Sequence, residues 1–149
     1  MNWKRYSIGV VSAFVSQMVL GFLFHGILLK GAYGSAVTSG LMRTQPEMDA
    51  RFHFLALGQL VFALAAVWIY AYGVEAKPWL AQGIRYGIAL WALSSLMGAL
   101  VGYFVQPWPA DLLMKSSAAD LVICGVTGVV IAAVYKNSAG IPRSSAARA

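Results

Sequence analysis

The stretch SSAADLVICGVTGVVIAAVY, residues 116–135, holds a single charged side chain, Asp120, in a run that is otherwise small and apolar. A helix needs about 20 such residues to cross roughly 30 Å of hydrocarbon. Three further stretches, residues 7–29, 52–74 and 86–105, read the same way. The expected fold is all-α, a transmembrane four-helix bundle occupying residues 1–136. The remaining residues, 137–149, are rich in Ser, Ala and Arg and read as a disordered cytoplasmic tail.

Composition points the same way. The chain of 149 residues is 60% hydrophobic and 11% charged, with a mean hydropathy of +0.70, whereas soluble domains carry about 25% charged residues. One bundle uses up this length and leaves no second domain. Cys124 is the only cysteine, so no intrachain disulfide can form. The net charge of +6 comes from an uneven placement of Lys and Arg and is no sign of nucleic-acid binding.

With the N-terminus in the cytoplasm, Lys4, Arg5, Lys77, Arg85, Lys136, Arg143 and Arg148 fall inside, and Lys30, Arg43, Arg51 and Lys115 outside. This is the direction of the positive-inside rule, and both termini are expected in the cytoplasm. The first span is too long for the core of a signal peptide and no clear cleavage site follows it. Trp3, Tyr6, Tyr70, Tyr72, Trp79, Tyr86 and Tyr135 collect at the inner level as an aromatic belt, and Tyr103 and Trp108 mark the outer one.

The short turn at residues 75–79 makes spans two and three antiparallel neighbours. Pro107 and Pro109 stop span three, and Asp111 is placed to cap the next helix. The first outer loop, residues 30–51, is the longest connection. Gly31, Gly34 and Gly40 break it, leaving room for a short interfacial helix at residues 36–43.

Rows of residues four apart share one helix face. Ala13, Gln17, Gly21 and His25 form one row; Ser94, Gly98, Gly102 and Gln106 a second; Asp120, Cys124, Gly128 and Ala132 a third. Small residues let helices approach closely in lipid, so Gly21, Gly98, Gly102 and Gly128 are expected at helix contacts. Spans one and three align at an offset of 81 residues and spans two and four at 67, which admits two repeated helical hairpins.

The polar groups within the spans carry the functional reading. Asp120 lies about 6 Å inside the outer boundary and His25 about 7 Å, at ~1.5 Å per residue. His53 and Gln106 sit near the same side. An ionisable group in a span is a functional candidate by default. His25, His53, Gln106 and Asp120 are therefore expected to line an outer-leaflet pocket, unless Asp120 only pairs with a histidine or with Lys115 to fix register. Two histidines at similar depth admit haem ligation, and a bound quinone or other small molecule is a further option. A zinc site would need His25, His53 and Asp120 together, without any local ligand motif, so no metal is expected. Gln17, Gln59, Ser94 and Ser95 fall near mid-membrane as interhelical hydrogen-bonding groups. No nucleophile with a base, Gly-rich phosphate loop or HExxH motif is present, which speaks against an enzyme.

The strings LGFLFHG at 20–26, KPWLAQGIRYG at 77–87 and QPWP at 106–109 resemble a family of small four-helix bacterial membrane proteins classed as a domain of unknown function. The resemblance implies a four-helix fold in the bacterial cytoplasmic (inner) membrane and carries no activity. Three roles remain: an accessory or structural subunit of a larger membrane complex, a binding protein with an outer-leaflet pocket, or a small dimeric transporter. The expected surroundings are the lipid bilayer and another membrane protein or a second copy of the chain.

Overall fold

The computed structural model describes residues 1–136; the tail expected to be disordered lies outside the described residues. Among the described residues every regular element is helical. The order is α1 (Trp3–Gly21), a π-helical segment (Phe22–Leu28), α2 (Lys30–Thr38), α3 (Gln45–Asp49), α4 (Phe52–Gly73), α5 (Trp79–Trp91), a second π-helical segment (Ala92–Leu96), α6 (Met97–Val105) and α7 (Ala110–Tyr135). Four stretches are long and apolar enough to cross a membrane: Trp3–Leu28, Phe52–Gly73, Trp79–Val105 and Ala110–Tyr135.

Three spans begin earlier than their apolar runs. Asn2 caps α1 by accepting from the Arg5 amide at 3.1 Å, so the helix takes in the polar residues ahead of residue 7. Pro78 occupies the N-cap of α5 and Pro109 that of α7. A proline there gives up an amide that would have no helical partner anyway, so these helices start at Trp79 and Ala110. Asp111 is thus not the cap expected of it. It sits in the first turn of α7, paired with Lys115 at 3.1 Å.

The first loop is more ordered than its glycines imply. Gly31 and Gly34 lie inside α2, which follows the first span after Leu29, and only Gly40 takes a left-handed conformation, at φ 75°. The short helix begins at Lys30 rather than at residue 36. Pro46 and a Thr44–Glu47 capping box start α3. The hydrogen bonds from Thr44 hold the Glu47 carboxyl below the usual range.

Spans two and three are not packed as the main neighbours their short turn suggested. Span two lies chiefly on α1, span three on α7, and α1 and α7 join the two pairs. A turn fixes where two helices start but not where their small residues point, and those residues decide the partner. The tightest contact is α5 on α7. A Cβ at Gly87 would stand 2.5 Å from the Cys124 carbonyl oxygen and 2.6 Å from the Gly125 Cα. One at Gly83 would stand 2.8 Å from the Ala132 Cβ. Gly128 meets the backbone of both glycines. Gly83 and Gly87 form a G-x-x-x-G motif.

Gly128 thus lies at a helix contact, whereas Gly21, Gly98 and Gly102 do not: added carbons there would meet nothing within 4 Å. The second row fails because α6 makes only a slight contact with α7 beyond the π-helical segment. Leu100, Phe104 and Val105 on α6 are exposed, Phe104 at 89%.

At the end of the molecule holding both helix termini, the expected belt divides. Trp3, Tyr72 and Trp79 are exposed, but Tyr70 and Tyr135 are buried. The Tyr70 ring meets those of Tyr86 and Tyr135 at centroid distances of 5.0 and 5.7 Å. Tyr86 donates to the Ala66 carbonyl at 2.5 Å, tying α5 to α4.

Candidate functional site

Two helical irregularities build the site. Regular helix turns about 100° per residue, so residues four apart drift by ~40° at each step. A row that must keep touching one partner needs that drift corrected, and a π-turn does so because it takes up more residues. On span three, Gly87 meets Cys124, the Trp91 indole donates to the Ser117 carbonyl at 2.8 Å, and Ser95 donates to Asp120 Oδ2. These three residues, four apart, all reach α7, and Ser95 lies in the Ala92–Leu96 π-helical segment. His25 lies in the Phe22–Leu28 π-helical segment of span one. Such segments occur often at functional sites.

His25 uses both ring nitrogens. Nε2 is 3.0 Å from Asp120 Oδ1, and Nδ1 is 2.7 Å from the Tyr33 hydroxyl. Tyr33 comes from α2, outside the spans. Burial, and then the nearby Asp120 carboxylate, raise its pKa and keep the phenol protonated. Its hydroxyl lies against Nδ1 and also has Ser116 as a hydrogen-bond partner. The result is a chain Tyr33–His25–Asp120–Ser95 running inward from the loop end, where the first loop and the proline turn lie.

Beside this chain is a cavity of about 210 Å³ lined by Gln17, Gln59, Phe62, Ser94, Ser95, Asp120, Ile123 and Cys124. The four polar residues expected near mid-membrane therefore share one space, and Asp120 borders it. They also share one level. Counted from the loop end, Gln17 is the twelfth of 26 residues in its span, Gln59 the eighth of 22, Ser94 and Ser95 the twelfth and eleventh of 27, and Asp120 the eleventh of 26. Gln17 is only 3% exposed, and its Oε1 is buried without a hydrogen-bond partner. A buried acceptor in that state costs about 1–3 kcal/mol.

His53 and Gln106 are not part of the site. His53 is exposed, with its ring against Phe54. Gln106 is also exposed, and its side-chain oxygen accepts from the Trp108 indole. The two histidines differ in their surroundings: both nitrogens of His25 are hydrogen-bonded within the chain, whereas His53 is exposed against Phe54. Among the described residues no three His, Cys, Asp or Glu side chains gather as metal ligands. Lys115 pairs with Asp111 rather than Asp120. Tyr33 and Cys124 are the site residues that depth alone did not single out. A sequence signal for Tyr33 existed in its spacing of eight residues from His25, two helical turns if the helix continues.

Comparison with known proteins finds no match: no family model, no curated protein and no solved structure is significantly similar to this chain.

Proposed function

We propose that the protein is a multi-pass protein of the bacterial cytoplasmic membrane that binds a small polar molecule in the cavity beside Asp120. In this reading it is a four-helix bundle of two hairpins, both termini lie in the cytoplasm, and Tyr33 is on the outer side. The bias of Lys and Arg supports the orientation.

One observation carries the binding role. Five polar residues from four different spans converge at one level on an open volume, and one of them presents an unsatisfied acceptor, Gln17 Oε1. A purely structural Asp120–His25 pair, as an accessory subunit would use, fixes register equally well with that volume filled. Catalysis is less well supported. Asp120 stands between Ser95 and His25, so the imidazole does not touch the hydroxyl as acyl transfer would need.

Native mass spectrometry of the full chain, extracted from its own membrane in mild detergent, tests the reading. The expected result is a small-molecule adduct on the wild-type protein that is lost in Gln17→Leu. Bare protein mass for both would overturn it.

A further inference from the structure

We infer that the ligand of this cavity is a short-chain primary ammonium ion; the inference rests on the binding role proposed above and adds the ligand's chemistry. Asp120 Oδ1 lies against His25 Nε2 and Oδ2 accepts from Ser95, which anchors the carboxylate at the edge of the cavity. The groups facing the cavity are Gln17 from span one, Gln59 from span two, Ser94 and Ser95 from span three, and Asp120 and Cys124 from span four. None is a Lys or Arg. A carboxylate within a span is costly to keep ionised, and a cation bound in the cavity offsets that cost.

Acceptors identify the kind of cation. The Asp120 carboxylate borders the space, Gln17 Oε1 has no donor, and the Gln59 amide carries a further carbonyl. A primary ammonium has three N–H donors and no acceptor, which matches that set. Phe62 and Ile123 provide an apolar side for a short alkyl group. The volume of about 210 Å³ is small for a ligand pocket, which suits a short alkyl group.

Equilibrium dialysis of the purified full-length protein in mild detergent tests the inference, with isotope-labelled butylammonium as the probe and neutral butyramide of similar size beside it. Saturable, one-to-one binding of butylammonium is expected, with butyramide at least tenfold weaker. Asp120→Asn should weaken butylammonium at least tenfold. Gln17→Leu should weaken it as well, and this variant leaves the Tyr33–His25–Asp120–Ser95 chain intact, so a folding failure at Asp120 does not obscure the outcome. Equal binding of both probes, or of butyramide alone, would overturn the ammonium and leave the cavity's binding role standing. Binding of neither probe, with a small-molecule adduct present on the native protein, would also overturn the ammonium alone. Binding of neither, with no such adduct, would overturn both.

Discussion

Asp120 accepts from His25 and Ser95 at once, so removing its carboxylate leaves two donors from two other spans without their acceptor. Asp120→Ala is expected to destabilise the protein by about 1–3 kcal/mol, read from thermal unfolding in detergent. His25→Ala in the same background should cost much less than it does alone, because the partner is already gone; additive losses would show that the two side chains act separately. Tyr33→Phe keeps the ring and removes the hydroxyl beside Nδ1. It should cost about 1 kcal/mol, read from the same thermal unfolding. Position along a span was legible in order but not in depth: α7 starts at Ala110, ahead of the apolar run, so Asp120 is the eleventh residue of its span and level with Gln17, Ser94 and Ser95. Direction around the helix was not legible either. That is why His25 and Asp120 meet while His53 and Gln106, at similar predicted depth, point elsewhere.

Between elements, α5 and α7 touch backbone to backbone. The close atoms at Gly87 are main-chain atoms of Cys124 and Gly125, which cannot swing aside. Gly87→Ala should therefore lower stability by about 1–3 kcal/mol, the usual range for overpacking. Gly102→Ala meets open space within the chain and should change it by no more than about 0.5 kcal/mol. Thermal unfolding of the two variants side by side checks the contrast, and equal losses would contradict the packing. This contact was hidden in the sequence because the third apolar run starts at residue 86. The polar residues Lys77, Gln82 and Arg85 put Gly83 outside it, yet the helix runs from Trp79. The third row failed differently from the second. Cys124, Gly128 and Ala132 are buried as the four-residue spacing implied, while Gly98 and Gly102 lie beyond a π-helical segment that no periodicity announced.

Across the whole molecule, length and hydropathy sufficed to find four helices able to cross a membrane. Orientation rests on charge. In a Cys124→Ala background, Ser39→Cys should react with a membrane-impermeant maleimide in intact cells, and Ser145→Cys only after permeabilisation. Labelling of position 145 from outside would reverse the proposed topology. Neighbour relations were less legible: α1 and α7 form the centre, with α4 and α5 as their separate partners, although the chain joins α4 to α5 through a turn of a few residues.

The π-helical segment at Ala92–Leu96 bears on how such a chain tolerates changes in its own length. Deleting one residue there would let the backbone relax into ordinary helix at little local expense. Because the wide turn is what takes up the extra residue, the stretch beyond would keep nearly its present facing, whereas the same deletion within the regular helix of α5 would turn everything beyond it by about 100°. A single-codon deletion within α5 would leave a protein that still inserts and still measures as helical but whose Ser95 has left Asp120, and one inside the π-helical segment would largely spare that contact.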